Sequence, residues 1–146
     1  MDDFEEYNAV SYSSTGKLPN CWDAYASSTT ASYKPKVATS GSYSFAQSGS
    51  KSLTFYTSGN ASAVLPAMTE ALNTLELGFW YKNYSSSTGK LIVGYVTEAD
   101  SALNTFTAID TLENTTTGKQ VYYTLDNLTD DAYRIAFKYT TTSTSY

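Results

Sequence analysis

The sequence predicts an all-β domain with its strands stacked as an antiparallel sandwich, and three observations carry that expectation. The first is composition. Ser and Thr supply 42 of the 146 residues and Tyr another 14, while charged residues make up 16%. Thr and Tyr suit a pleated, half-buried surface, and Ser and Thr cover the solvent side of a sheet without charge. The second is period two: several segments alternate large apolar with polar side chains, the mark of strands with one buried face. The third is punctuation, since clusters of Gly, Ser, Asn and Asp separate those segments at short intervals. Recurring strands with such turns indicate a sandwich or barrel rather than βαβ units.

Taken in order, the strongest strand candidates lie in the second half of the chain. Leu75-Glu76-Leu77-Gly78-Phe79-Trp80-Tyr81-Lys82 places Leu75, Leu77, Phe79 and Tyr81 on one side. Leu91, Val93 and Tyr95 share a side in the next segment, with Ile92 and Val96 indicating that its second face is partly covered. Val121, Tyr123 and Leu125 repeat the pattern. In Tyr133-Arg134-Ile135-Ala136-Phe137-Lys138-Tyr139 four large residues oppose Arg134, Ala136 and Lys138. Shorter candidates span 52–56, 61–65 and 105–109. Turn clusters fall at 12–17, 27–32, 39–42, 58–60, 85–90, 114–119 and 126–131. Residues 66–73 hold one possible helical turn, with Met68 and Leu72 four apart. Neither an internal repeat nor a linker interrupts the pattern, so residues 1–146 read as one domain.

Charge narrows the partners. The net charge is −5, and the nine Lys and Arg are scattered singly. Nucleic acid needs a clustered basic footprint, and an anionic membrane surface needs the same. No apolar run approaches the ~20 residues of a membrane-spanning helix, so membrane insertion is not expected. The opening Met1-Asp2-Asp3-Phe4-Glu5-Glu6 is not a signal peptide; it suits a domain excised from a longer exported protein. With no His and a single Cys, Ser-His-Asp and Cys-His catalysis and His-based metal sites are excluded. Cys21 reads as a small buried hydrophobe beside Trp22.

A resemblance appears once these residues are set in order. Phe4-Glu5, Leu18-Pro19-Asn20-Cys21-Trp22, Ser48-Gly49-Ser50-Lys51-Ser52-Leu53 and Leu75-x-Leu-x-Phe-Trp-Tyr are followed by Gly94-Tyr95-Val96-Thr97 and Tyr133-Arg134-Ile135-Ala136-Phe137. The chain resembles the MAM-like jelly-roll domains of Bacteroidetes surface proteins, among them the cleaved-adhesin and choice-of-anchor modules. More distantly it is similar to jelly-roll carbohydrate-binding modules. The resemblance implies a two-sheet antiparallel jelly roll, an extracellular or cell-surface location, no catalysis and often a structural calcium ion. Domains of this kind close with a further strand carrying an aromatic-acidic stretch, whereas this sequence stops at Thr140-Thr141-Thr142-Ser143-Thr144-Ser145-Tyr146. Either such a strand follows in a parent protein, or the Thr/Ser run is itself the last strand. Otherwise an edge stays open for another chain to pair with.

Calcium takes six to eight hard oxygen ligands. Asp2, Asp3, Glu5 and Glu6 form the densest carboxylate cluster. The resemblance maps a glutamate ligand onto Glu5, with the loop at 48–51, including Ser50 and Lys51, adding carbonyls. The alternative is an acidic, solvated N-terminus that binds nothing. For a ligand of another kind, alternation turns Trp80 outward with Glu76 and Lys82, as a stacking platform for a sugar ring with two hydrogen-bonding neighbours. A covering strand or loop would make Trp80 second-layer core instead. Trp22, Tyr25 and Tyr33 precede the first clear strand; Trp22 suits a plug closing one end of the sandwich, while Tyr25 and Tyr33 suit either plug or contact. Tyr84, between Asn83 and the serines at 85–87, is a loop-tip aromatic fit for a partner.

The remaining signals are bland. Ser48-Gly49-Ser50-Lys51 matches a Ser-x-x-Lys pattern, but that chemistry needs the serine at a helix start. Asp23, Asp100, Asp110 and Glu113 have no context that would separate two carboxylate pKa values. Asn-x-Ser/Thr sequons at Asn60, Asn83, Asn114 and Asn127 arise by chance in so Ser/Thr-rich a chain. Two functions follow from different classes: a carbohydrate-binding or adhesion module recognising a glycan or other host or bacterial surface ligand, or a structural domain that assembles a surface protein through an open sheet edge.

Overall fold

A computed structural model describes residues 3–41, 45–84, 89–97 and 103–145, with backbone alone at 142–145. The expected loop at 85–88 and the carboxylates of Asp2 and Asp100 lie outside the described residues. Nine strands follow in chain order: β1 Asp23–Ala26, β2 Lys36–Thr39, β3 Lys51–Thr54, β4 Thr57–Val64, β5 Glu76–Tyr81, β6 Lys90–Val96, β7 Thr107–Thr111, β8 Lys119–Thr124 and β9 Arg134–Ser145. Helical structure among the described residues amounts to two single 3-10 turns, Ala31–Tyr33 and Leu72–Thr74. The turn expected across 66–73 therefore shrinks to its end: Leu72 is buried as a core anchor, and Met68 is exposed.

One layer of the sandwich is a five-stranded antiparallel sheet in the order β1-β4-β9-β6-β7. The facing layer is built from two antiparallel pairs, β2–β3 and β5–β8, which are not laddered to each other among the described residues. Val10 runs along the outer edge of β2, its N–H donating to Val37 and its carbonyl accepting from Thr39. The Thr/Ser run at the C-terminus does form strand, as the continuation of β9 at the centre of the large sheet, where Thr141 pairs with Gly59 and Ser145 with Thr57.

The alternation read from the sequence is the alternation of the fold. On β5, Leu77, Phe79 and Tyr81 turn inward and Glu76, Gly78 and Trp80 outward. Phe79 meets Phe137 of β9 edge to face at 5.0 Å, and Phe55 lies 6.1 Å from Tyr139, so both pairs of the small layer rest on the large sheet. Leu72, Tyr95, Leu125 and Ile135 close the core at one end. The other face of the large sheet is also partly covered: Val64, Val96 and Ala136 are fully buried against Leu103 and Phe106.

Two expectations fail here. Tyr133 precedes β9 and is exposed, while Arg134, expected on the solvent side, is buried. Its guanidinium donates to Asp23 Oδ2 at 2.6 Å, to the Cys21 and Val64 carbonyls at 3.2 and 3.3 Å, and to the Leu65 carbonyl. Five fixed donors let Arg satisfy acceptors at two strand ends at once, the start of β1 and the end of β4. Cys21 is exposed rather than buried, held at φ 68° in the turn whose carbonyl Arg134 takes. Trp22 is half-buried, with Phe4 edge-on at 6.0 Å.

Candidate functional site

The outward face of the β5–β8 pair carries two large exposed aromatics. Trp80 is 45% exposed and Tyr122 72%. Register explains their placement: Gly78 pairs with Tyr122 and Trp80 with Gln120, so the two rings are diagonal neighbours on one face, a separation that aromatic side chains span. A glycine makes room for one of them. A Cβ on Gly78 would come within 2.7 Å of the Tyr122 ring, and one on Gly118 within 3.7 Å of the Trp80 ring. The Tyr122 ring thus lies against the bare backbone of Gly78, whereas the Trp80 ring is in ordinary contact range of Gly118. Gln120 Nε2 donates to the Tyr122 hydroxyl, fixing that ring.

These rings border a cleft of about 610 Å³ between the two pairs of the small layer. Its volume is within the range typical of ligand sites. Lys82 and Tyr84 line it as well, and Lys82 Nζ lies 3.8 Å from the Phe45 ring centroid. Trp80, Lys82 and Tyr84 are therefore brought together. Glu76 shares the outward face of β5 but does not line the cleft, whose β5 wall begins at Gly78. Tyr25 lies elsewhere, on β1 beside Ser62 and Lys138 on the outer side of the large sheet. Tyr122 and Gln120 escaped the sequence reading, although the inward set of Val121 and Tyr123 already turned them outward.

The N-terminal cluster is also brought together, but as a carboxylate pocket. Glu5 Oε1 accepts from the Ser50 and Lys51 N–H groups, both at 2.7 Å, and Oε2 accepts from Ser50 Oγ at 2.9 Å. These bonds, the Ser50 backbone N–H foremost, hold the Glu5 carboxyl below its usual value of 4.5. Gly49 at φ 67° brings the turn so close that a Cβ would lie 2.6 Å from that carboxylate. Lys51 Nζ donates to the Glu5 and Tyr7 carbonyls at 2.6 and 2.8 Å.

A calcium ion does not fit this donor set. Ser50 and Lys51 turn N–H groups toward Glu5, not carbonyls, and the Ser50 carbonyl accepts from Ser40 N. The two carbonyls nearest the site already hold an ammonium, which repels a divalent cation. Asp3 Oδ1 accepts from Glu5 N at 3.1 Å and so caps the same turn. Among the described residues no cluster of three or more Cys, Asp and Glu faces a common point.

Two of the carboxylates weighed for catalysis, Asp23 and Asp110, are engaged in structure. Asp23 binds Arg134, and Asp110 accepts the Tyr123 hydroxyl at 2.8 Å. Burial, with that bond, pushes the Tyr123 hydroxyl well above its usual range. Of the sequons, Asn83 is buried, with its Oδ1 accepting from Thr115 N at 3.1 Å.

No family model matches the chain, and no curated protein matches it in sequence. Among solved structures it is similar to the K1 cleaved adhesin domain of Lys-gingipain from Porphyromonas gingivalis W83, at a TM-score of 0.63 and 14% identity over 92% of this chain and 88% of that one. The fold is that of a cleaved-adhesin domain. Among the described residues no helix is long and apolar enough to cross a membrane.

Proposed function

We propose that this domain is a non-catalytic adhesion module of an extracellular or cell-surface protein, and that it binds carbohydrate on the aromatic face formed by Trp80 and Tyr122. The observation that carries this reading is the pair of exposed rings, diagonal neighbours on adjacent strands, with Tyr122 seated on Gly78. A sugar ring presents C–H groups on one face and hydroxyls around its rim. Aromatic faces recognise the first, and polar groups beside them recognise the second. Gln120, Lys82 and the Tyr122 hydroxyl supply that polar rim. The fold shared with a cleaved adhesin domain supports the adhesive role.

A glycan array with the wild-type domain, Trp80→Ala and Tyr122→Ala tests it. Selected glycans should bind the wild type, and each substitution should weaken binding about tenfold, a loss near 1.4 kcal/mol. A wild-type domain that retains no glycan, or variants that bind as well as it does, would sink the reading.

A further inference from the structure

The cleft is charged against the trend of the chain. The protein carries a net −5, yet the charged residues lining the cleft are Lys51, Lys82 and Asp3. Two of the three are occupied within the fold. Lys51 Nζ donates to the Glu5 and Tyr7 carbonyls, and Asp3 Oδ1 accepts from the Glu5 N–H. Lys82 differs: it is exposed, and it makes no salt bridge among the described residues. Its ammonium is nonetheless placed, 3.8 Å from the centroid of Phe45, whose ring face attracts a cation.

Lys82 follows β5 directly and stands two residues beyond Trp80, and both residues line the cleft. Two residues of chain span at most about 7 Å, a distance that the four-carbon lysine stem covers. A ring stacked on Trp80 can therefore hold a substituent against the ammonium. Gln47 Oε1 and the Trp80 ring lie 3.5 and 3.7 Å from where a Cβ of Gly118 would stand, so a neutral amide borders the indole as well. Given carbohydrate binding at Trp80, on which this rests, we propose that the ligand is an acidic glycan: the stacked sugar carries, or directly adjoins, one carboxylate or sulfate that meets Lys82. Gln47 and Gln120 then serve its hydroxyls. One unpaired cation in a chain of net negative charge suits a single anionic group, whereas a polyanion needs a basic row.

A glycan array printed in matched sets tests the assignment, each set holding one oligosaccharide in neutral, carboxylated, methyl-esterified and mono-sulfated form, beside a polysulfated polymer. The wild-type domain should prefer a singly charged member over its neutral counterpart by about fivefold, the scale of one exposed ion pair. Whether the carboxylated or the sulfated member leads identifies the anion, and esterification should abolish any gain that the carboxylate brings. Lys82→Gln should bring the charged-to-neutral ratio near unity, and Lys82→Arg should keep it. Lys138→Gln should keep it too, since that lysine lies over Phe106, at 5.6 Å, on the outer side of the large sheet. Trp80→Ala should weaken charged and neutral members alike. Equal binding of charged and neutral members by wild type would overturn the acidic ligand and leave carbohydrate binding standing, whereas no binding at all would remove both. A preference that survives in Lys82→Gln, is lost in Lys138→Gln, or is led by the polymer regardless of Trp80 would also overturn it.

Discussion

Lys36 shows how a single residue can oppose the usual rule for lysine. It is fully enclosed on β2, its ammonium donating to the Tyr12 carbonyl at 3.1 Å and to the Ser32 carbonyl, with the Tyr56 ring 5.9 Å away. Burial lowers its pKa from 10.5 to about 8. Between those values the unfolded chain holds a proton that the folded chain has released, so stability rises with pH across that window. The displacement sets a ceiling of roughly 3 kcal/mol on the gain. Urea titrations from pH 7 to 10 should show unfolding free energy climbing more steeply in wild type than in Lys36→Met. Parallel pH profiles would mean that the ammonium is as well solvated by its carbonyls as by water. Nothing in the sequence marks Lys36, because its enclosure is made by the 12–17 and 30–33 segments, which carry no periodic signal. Arg134 is the same case: period two put it on the solvent face, but the chain ends it gathers lie 69 to 113 residues away.

At the scale of elements, the sequence disclosed most where one strand decides the outcome. The inward set of β5 and the outward turn of Trp80 follow from alternation alone. The cleft does not, because it exists only in the spacing between β3 and β5, and no local pattern encodes a gap between two pairs. Tyr122 sits between these limits: its direction was legible on β8, but its open ring face depends on Gly78 across the ladder. The Glu5 turn is likewise a joint product of two segments 45 residues apart. Because Glu5 has its pKa lowered in the fold, its contribution is present above the unfolded value of 4.5 and is lost as pH falls through the folded one. Glu5→Gln should therefore lower Tm at pH 7, with the gap to wild type closing in acid. Chelator or added calcium should leave Tm unchanged, since Lys51 already holds the carbonyls; a calcium-dependent rise of several degrees would refute the ammonium's role.

For the molecule as a whole, the two layers are unequal by construction. The large sheet has five strands laddered in one unit, with β4 and β6 both pairing along β9. The small layer has two pairs, each no stronger than a hairpin plus its packing, and an isolated two-stranded unit is marginal in water. Cohesion of the small layer therefore comes from its contacts downward, Phe79 on Phe137 and Phe55 beside Tyr139, rather than from within. Local opening free energies track such differences. Native-state hydrogen exchange should rank β9 and its neighbours β4 and β6 as the last amides to open, near the global unfolding free energy. β2–β3 and β5–β8 should open earlier and independently of one another. Phe137→Leu, which trims the shared floor, should speed opening of β5–β8 without a matching change in β2–β3. If both pairs open as one unit in wild type, something joins them across the gap, and the layer is a continuous sheet in solution.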